Sequence, residues 1–358
     1  MLASRNHIHL KLPGRTGQFV LSLALVLMLC CGCGSSRGKL FGELEATIVW
    51  PEPPEQARIQ YLGELSTEDD LKREVSGMAA FGRFIFGRED IGVLVSPRAI
   101  AMDDEERLFI ADASGGVVHM MDLDGRKYGQ FSKLEGDETL LSPVGAVVVG
   151  QDIYVTDSGL GKVCVFSTEG KYKFSFGSDT LQRPSGIAYN GVQGTIYVAD
   201  AKRHSIDIFS MRGRHVLTMG GHGGGNGMFS FPTYIWIDKK GRLYVSDTLN
   251  YRVQIFGADG KFLRSIGKHG NRPGYFAHPC GVATDSHGNI YVSDKQFENI
   301  QIFNSAGQIL MAVGGEGHGP GQFWLPAGIF IDDNNRIFVA DSFNKRIQVL
   351  QLLEVEKP

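Results

Sequence analysis

Short runs of alternating apolar and polar residues recur along the chain from residue 97 to near its end. Each repeat contains an apolar pair or triplet that ends in Ala, Ser or Thr and is followed by Asp. The six repeats carry Asp112, Asp157, Asp200, Asp247, Asp294 and Asp341. Successive Asp residues are 45, 43, 47, 47 and 47 positions apart, and a Pro precedes each by 14 to 16 residues. A period of about 40–50 residues with strand-like alternation is typical of a propeller blade.

The fifth repeat shows the strand pattern within one unit. Four strands are predicted, over 281–284, 290–293, 300–303 and 308–313, with turn-forming residues between them. No segment between the repeats has helical periodicity, so the sheets should be antiparallel. The predicted fold class is all-β, a six-bladed β-propeller of four-stranded antiparallel blades. One short helix is predicted over about 68–75.

Ring closure follows from counting strands. The sixth repeat ends after its third strand, over 347–353, and has no fourth. A strand pattern over 58–65 precedes the first repeat and has no partner of its own. Adding this strand to the last blade would close the ring and remove two sheet edges.

The repeats resemble NHL repeats, from Pro97 to the C-terminus. The matching features are the entry motif Pro184-Ser185-Gly186-Ile187-Ala188, the second strand Ile196–Asp200 and the third strand Arg346–Val349. The resemblance implies a six-bladed propeller and is specific for fold but not for function.

The N-terminal residues predict where the protein is located. Residues 1–32 contain three Lys or Arg residues and no acidic residue. All three cations precede an eleven-residue apolar run over 19–29. A helix of that length covers about 16 Å, too short to span a bilayer, so the segment indicates a secretory signal. The following Cys30-Cys31-Gly32-Cys33 resembles the lipobox of bacterial lipoproteins, with lipidation on Cys33. Cleavage before Cys31, or an ordinary cleaved signal, stays open.

These features divide the chain into three parts: a lipoprotein signal peptide over 1–32, a lipid-anchored tether over 33–57 and an NHL-repeat propeller over 58–353. The expected localisation is extracytoplasmic, anchored by lipid to the bacterial envelope on the periplasmic side or the outer membrane. The membrane contact would be through the lipid alone.

Composition narrows the classes of function. The chain is 42% hydrophobic and 21% charged, which excludes a disordered protein. Its formal charge of −3 becomes −6 once the three cations of residues 1–32 are removed, which argues against a nucleic-acid partner. Beyond the N-terminal cysteines at 30, 31 and 33, the chain contains only Cys164 and Cys280. Both lie within apolar strand patterns and are predicted to be buried free thiols.

The six repeat Asp residues have two interpretations. A ring of carboxylates is a possible cation site, but an Asp that ends a strand commonly accepts hydrogen bonds from turn amides. The spacing of Asp247 with Arg252 and of Asp341 with Arg346 also predicts pairing across a hairpin. We therefore assign these Asp residues a structural role and predict no metal and no cofactor.

Three connectors between repeats share one template, over 220–232, 267–279 and 314–326. Each has Gly at its first, fourth and eighth positions and Phe three residues before the Pro. A strand follows each connector, so phosphate binding at a helix N-terminus is not expected. We predict that the Phe residues pack between blades. Aromatic residues assigned to the connectors (Tyr234, Trp236, Tyr275, Trp324 and Phe343) are candidates for a binding face, and strand alternation predicts that about half of them are core.

One propeller face collects both the connectors and the turns after each second-strand Asp, because the strands of an antiparallel blade alternate in direction. Its candidate ligand residues are Arg98, Arg203, His222, Tyr251, His269, Arg272, Phe297, His318 and Phe343. The opposite face has Gly- and Asn-rich turns suited to solvent. The leading hypothesis is a non-catalytic platform for a protein or envelope polymer. The alternative is a lyase or lactonase that uses a divalent metal in the central channel. No catalytic residue is assigned.

Overall fold

The computed structural model describes residues 40–41, 47–71 and 92–354. These residues form six β-sheets arranged as a ring, and every pairing between strands is antiparallel. The predicted six-bladed propeller is confirmed. The predicted signal peptide and Cys33 lie outside the described residues.

Each of the first five blades has four strands, which run in order from the ring axis outward. Blade 1 contains β3 (Pro97–Met102), β4 (Arg107–Asp112), β5 (Val117–Asp122) and β6 (Lys127–Phe131). Blade 2 contains β7 (Pro143–Val149), β8 (Asp152–Asp157), β9 (Lys162–Ser167) and β10 (Tyr172–Phe176). Blade 3 contains β11 (Pro184–Asn190), β12 (Thr195–Asp200), β13 (Ser205–Ser210) and β14 (His215–Gly220).

Blades 4 and 5 repeat this plan. Blade 4 contains β15 (Pro232–Ile237), β16 (Leu243–Asp247), β17 (Arg252–Phe256) and β18 (Phe262–Ile266). Blade 5 contains β19 (Pro279–Thr284), β20 (Ile290–Asp294), β21 (Asn299–Phe303) and β22 (Ile309–Val313). The 3-10 turn Thr248–Asn250 follows β16 in blade 4.

Blade 6 is assembled from both ends of the chain. Its strands are β23 (Pro326–Ile331), β24 (Arg336–Asp341), β25 (Arg346–Leu352), β2 (Ile59–Leu65) and β1 (Val49–Trp50). The predicted closing strand is confirmed, since β2 pairs with β25 along its length. The short β1 then pairs with β2 at the outer edge. We did not predict β1, because two residues of strand carry no periodic signal.

Burial explains the strand pattern. The second strands are buried at nearly every position, as over 196–200, because the neighbouring blades cover both of their faces. The hydrophobic clusters accordingly combine residues of adjacent blades. One of them joins Tyr197 and Ile206 of blade 3 to Ile235 and Val245 of blade 4.

The ring axis is filled by one side chain. At the third position of the entry motif five blades have Ala99, Gly145, Gly186, Gly281 or Gly328, and blade 4 has Tyr234. The Tyr234 hydroxyl donates to the carbonyl oxygen of Ile329 in blade 6 at 3.3 Å. The ring also packs in one cluster with Ala99 and Ala146 of blades 1 and 2. Five small residues thus make room for one large side chain.

Three smaller predictions have clear outcomes. Cys164 and Cys280 are buried and free, as predicted, and burial raises the pKa of the Cys164 thiol to about 12. The described part of the predicted helix is a 3-10 turn over Glu68–Leu71, and the remainder lies outside the described residues. Among the described residues, no helix is both long enough and apolar enough to cross a membrane.

Candidate binding face

The two faces of the ring differ in the loops they carry. Each second-strand Asp pairs with the Pro that begins the first strand, as Asp200 does with Pro184. The connectors and the turns between second and third strands therefore share one side, which we call the upper face. The turns between first and second strands and between third and fourth strands form the lower face.

Each repeat Asp is a buried acceptor for loop amides. Asp157 accepts hydrogen bonds from the amides of Leu141 and Ser142, before the entry Pro, at 2.8 and 3.1 Å. It also accepts from Gly159 and Leu160 in the following turn, both at 2.9 Å. The same arrangement recurs at Asp112, Asp200 and Asp294. These carboxylates join two upper-face loops in each blade.

Asp112 shows how this arrangement affects ionisation. Burial by itself would raise the pKa of Asp112. The His119 imidazole, whose Nε2 lies 3.4 Å from Asp112 Oδ2, and hydrogen bonds from the amides of Val95, Gly115 and Ser96 outweigh burial and hold the pKa of Asp112 below its ordinary value. A carboxylate in this environment stays charged and satisfied by the fold.

In blades 4 and 6 the Asp also binds a cation. The Nε of Arg252 lies 2.9 Å from Asp247 Oδ2, and that of Arg346 lies 2.8 Å from Asp341 Oδ2. Both predicted Asp–Arg pairs are present. Arg346 also donates to Glu64 at 2.7 Å, so the closing strand β2 is tied to the same ion pair.

A third-strand Gln fixes each Gly-rich connector from below. The amides of Gly227, Gly274 and Gly321 each donate to a Gln Oε1 at 2.9 Å, and the three acceptors are Gln254, Gln301 and Gln348. The Nε2 atoms of Gln254 and Gln301 donate back to connector carbonyl oxygens at 2.7 Å. The connector Phe residues, Phe229, Phe276 and Phe323, are fully buried in clusters that span two blades. The connectors are therefore well-held loops.

Four upper-face turns hold a non-glycine residue in the left-handed region. His204, Tyr251, Glu298 and Lys345 each follow the repeat Asp by four residues and have φ between 52° and 57°. In blades 1 and 2 this position is Gly116 and Gly161, for which positive φ carries no steric cost. A side chain with a Cβ in this conformation costs about 1–2 kcal/mol. Blades 3 to 6 thus display side chains at a strained position.

These residues pack against side chains of the adjoining connector. The ring centroids of His204 and His222 are 4.6 Å apart, and those of Tyr251 and His269 are 4.3 Å apart. In blade 5 the corresponding residue is Glu298, whose pKa is raised first by burial and then by Glu316 of the connector. One packing position therefore presents three different chemistries.

A larger aromatic cluster lies on blade 6. Trp324 packs between Phe343, at a centroid distance of 4.0 Å, and His318, at 4.7 Å. His318 Nδ1 is 2.6 Å from Asn344 Oδ1, which orients the imidazole. Phe343 remains 53% exposed and the neighbouring Leu325 40% exposed. This cluster places exposed apolar surface on the upper face.

The structure divides the predicted ligand residues into two groups. His222, His269, Arg272, His318 and Phe343 are exposed on the upper face, and Tyr251 is half-buried beside His269. Arg98 and Phe297 are half-buried. Arg203 is held by Asp207 at 2.9 Å and by the carbonyl oxygen of Thr180 at 3.0 Å, so it supports the loops of blade 3.

Sequence reasoning missed some contributors and misplaced others. His204 was not predicted, although its place four residues after Asp200 matches that of Tyr251. Tyr234 and Trp236 were grouped with the connector aromatics, but both belong to β15. The two residues flank the core residue Ile235 on this inner strand. Tyr234 lies at the ring axis, and Trp236 lies farther along the strand, where it lines the lower face.

The lower face was predicted to carry mostly turns suited to solvent, and the sequence did not indicate a cavity at its centre. A cavity of about 880 Å³ opens there, lined by first-strand ends and turns of blades 1, 4, 5 and 6. Trp236, Phe330 and Met102 form its apolar wall, with charged turn residues around them. Within the described ranges, no three His, Cys, Asp or Glu side chains are grouped closely enough to hold a metal ion.

The ring of six sheets and the repeated Asp and Pro positions define a six-bladed β-propeller. Residues 181–209 match the NHL repeat, and residues 280–354 match a family described as a 6-bladed beta-propeller. The fold is therefore a six-bladed β-propeller, and part of it matches the NHL repeat.

Similarity to characterised proteins is partial. The chain is 31% identical over 122 residues to Protein brain tumor of Drosophila melanogaster, a match that spans 32% of this chain and 11% of that protein. A protein of unknown function from Bacteroides thetaiotaomicron superimposes with a TM-score of 0.61 at 16% identity, covering 75% of this chain and 72% of that one. Virginiamycin B lyase from Staphylococcus aureus gives 0.52 at 15% identity, covering 72% and 96%. These structural likenesses establish the fold alone.

Proposed function

We propose that this protein is a non-catalytic binding platform that recognises a protein or an envelope polymer through its upper face. The observation that carries the proposal is the set of strained turns at His204, Tyr251, Glu298 and Lys345. Backbone strain of this kind is concentrated at functional sites. Glycine would remove it, as it does in blades 1 and 2, so the side chains themselves are what these turns provide.

The chemistry of the upper face suits a macromolecular partner. Exposed Phe343 and Leu325 supply apolar anchors, and Arg272 supplies an exposed cation. Aromatic residues and Arg dominate the energetics of protein interfaces, where one anchor contributes about 2 kcal/mol or more. The connectors are held by Gln254, Gln301 and Gln348, so little ordering cost accompanies binding.

The axis supports a surface site over a channel site. The Tyr234 ring occupies the centre of the propeller, where the alternative function would place a divalent metal and its substrate. Turnover of a lactone or peptide substrate that depends on added metal would favour that alternative.

We further propose that the protein is lipid-anchored at the bacterial envelope through Cys33, within the segment resembling a lipobox. Replacing Cys33 with Ser should move the protein from the membrane to the soluble fraction, since a diacyl anchor is a stable attachment. A Cys31→Ser variant is the matched control. Release of the Cys31→Ser variant alone would place the lipid on Cys31. If both variants stay in the membrane fraction, the proposed anchor is contradicted.

Affinity purification from envelope extracts tests the binding face. The full-length protein is compared with an upper-face variant, Arg272→Ala with Phe343→Ala. The control is a variant on outer lower-face turns, Lys127→Ala with Lys261→Ala. Partners that depend on the upper face should be lost from the first variant only. Loss from the control pair alone, or unchanged capture by all three proteins, would contradict the proposal.

A further inference from the structure

The lower-face cavity has a fixed apolar wall. The rings of Trp236 and Phe330 meet edge to face, with centroids 6.0 Å apart and an interplanar angle of 73°. Trp236 Nε1 donates to Thr284 Oγ1 at 3.0 Å, which fixes the indole against blade 5. A cavity of about 880 Å³ with an aromatic wall is within the size range of small-ligand sites.

Most charges at this mouth are already neutralised by neighbours. Asp238 pairs with Arg242 at 2.7 Å and Asp332 with Arg336 at 2.6 Å. Arg336 also binds Glu106 of blade 1 at 3.1 Å. These groups brace the turns and are not free to receive a ligand.

Asp285 of blade 5 also lines the cavity, and its carboxylate accepts hydrogen bonds from Asn289 and Tyr291. A cation and an anion without such partners lie on opposite sides of the ring. Lys240 belongs to the first turn of blade 4, and Asp104 to the corresponding turn of blade 1. Both side chains are exposed, and neither has an ion-pair or hydrogen-bond partner among the described residues. Blades 1 and 4 are opposite each other in a ring of six, so the mouth has a cationic side and an anionic side.

A further ion pair shows that charged side chains of different blades can contact each other across the cavity mouth. Lys239 Nζ of blade 4 lies 2.7 Å from Asp333 Oδ1 of blade 6, although both side chains are more than 80% exposed. An ion pair this exposed contributes about 0–1 kcal/mol. It therefore separates at little cost when a ligand supplies the opposite charges itself.

We propose that this cavity binds a short zwitterionic peptide with free termini and an apolar side chain. The peptide carboxylate binds Lys240 and Lys239 on blade 4. The ammonium binds Asp104 on blade 1 and Asp333 on blade 6. The apolar side chain packs on Trp236 and Phe330. This site is separate from the upper face and does not depend on the function proposed for it.

The charge arrangement distinguishes this ligand from simpler ones. An anion would satisfy Lys240 but face the carboxylate of Asp104, and a cation would meet the reverse mismatch. An uncharged apolar ligand would cover the wall while leaving both charges unmatched. A ligand with separated opposite charges and an apolar group satisfies all three features together.

The test uses trileucine with free termini, its N-acetylated form and its C-amidated form, titrated into the full-length protein by isothermal calorimetry. The free peptide should bind with a Kd below about 1 mM, and each cap should weaken binding about tenfold. Lys240→Glu should weaken binding of every peptide that has a free carboxylate but leave the amidated peptide unaffected. Asp104→Lys should weaken the peptides with a free ammonium and spare the acetylated one.

Lys261→Glu is the matched control, on the outer turn of blade 4 on the same face, where the Lys261 side chain is 83% exposed. It should leave all affinities unchanged. No measurable binding of any of the three peptides would overturn the proposal. Losses that ignore the caps, or that are equal in Lys261→Glu, would also overturn it.

Discussion

Blades 4 to 6 and blades 1 to 3 share one strand framework but hold their upper-face loops by different means. In blades 4 to 6 a third-strand Gln binds the Gly-rich connector leading into its own blade. The equivalent third-strand residues in blades 1 to 3 are His119, Cys164 and Asp207. Blades 1 to 3 therefore lack the Gln side chain that both accepts a hydrogen bond from a connector amide and donates one to a connector carbonyl oxygen.

Each of the three replacements makes a different local network. His119 Nδ1 lies 2.9 Å from the Tyr128 hydroxyl, and its Nε2 lies 3.4 Å from Asp112. Cys164 is packed among apolar residues of blades 1 and 2. Asp207 collects Arg203, at 2.9 Å, and His215, at 3.1 Å.

The comparison distinguishes features that build every blade from features that present side chains on the upper face. All six blades keep the Asp that joins the loop amides, so the framework is common. Three connectors are additionally held by Gln, and the strained turns at Tyr251, Glu298 and Lys345 lie in those same blades. A surface that presents side chains for recognition gains from loops that are already ordered.

The largest expected effect contrasts two repeat carboxylates. Asp341→Ala removes the partner of buried Arg346 and should cost about 3–5 kcal/mol, the range for breaking a buried ion pair. Asp157→Ala removes an acceptor of amides only and should cost about 1–3 kcal/mol. Urea unfolding of both variants measures the difference. Equal losses would show that the cation adds nothing to the framework.

A smaller effect is expected at the connector Gln. Gln301→Ala leaves the Gly274 amide and the Tyr275 carbonyl without their partner and should cost about 1–3 kcal/mol. Cys164→Ala, at the same place in blade 2, removes only a small packed side chain and should cost about 1 kcal/mol. Thermal unfolding of the pair provides the comparison. A Cys164→Ala loss larger than that of Gln301→Ala would be inconsistent with this role of the Gln.

The strained turns allow a test in the opposite direction. Lys345→Gly should leave stability unchanged or raise it by up to about 1 kcal/mol, because φ of 56° suits glycine. Gly161→Ala, at the equivalent turn of blade 2, should lower stability by about 1 kcal/mol. Both are read from urea midpoints. Destabilisation by Lys345→Gly comparable to that of Gly161→Ala would argue against strain at this position.

The smallest effect is a pH dependence in blade 1. The folded pKa of Asp112 is lowered, so its contribution to stability is present above the unfolded pKa of about 4 and is lost as pH falls through the lower folded value. Asp112→Asn should therefore show a shallower fall in stability below about pH 4 than the parent protein. Parallel slopes of unfolding free energy against pH would contradict this assignment.

Much of the framework was predictable because it is encoded by short periods. The six Asp and Pro positions and the unpaired strand pattern ahead of the first repeat led to the ring and its closing strand. The filling of the ring axis was not predictable. Only blade 4 has a large residue, Tyr234, where the other five blades have Ala or Gly, and whether its side chain reaches the axis depends on the radius of the ring. The lower cavity was missed for a similar reason, because turns far apart in sequence form it together.

Hydrogen–deuterium exchange of the full-length protein, read by mass spectrometry, tests the central contrast most directly. In Gln301→Ala, peptides covering 267–279 should exchange faster than in the parent, because the Gly274 amide loses its acceptor. In Cys164→Ala, peptides covering the connector 132–142 should exchange as in the parent, since no hydrogen bond from Cys164 holds them. Unchanged exchange over 267–279 in Gln301→Ala, or equal acceleration of both connectors in their respective variants, would contradict the account.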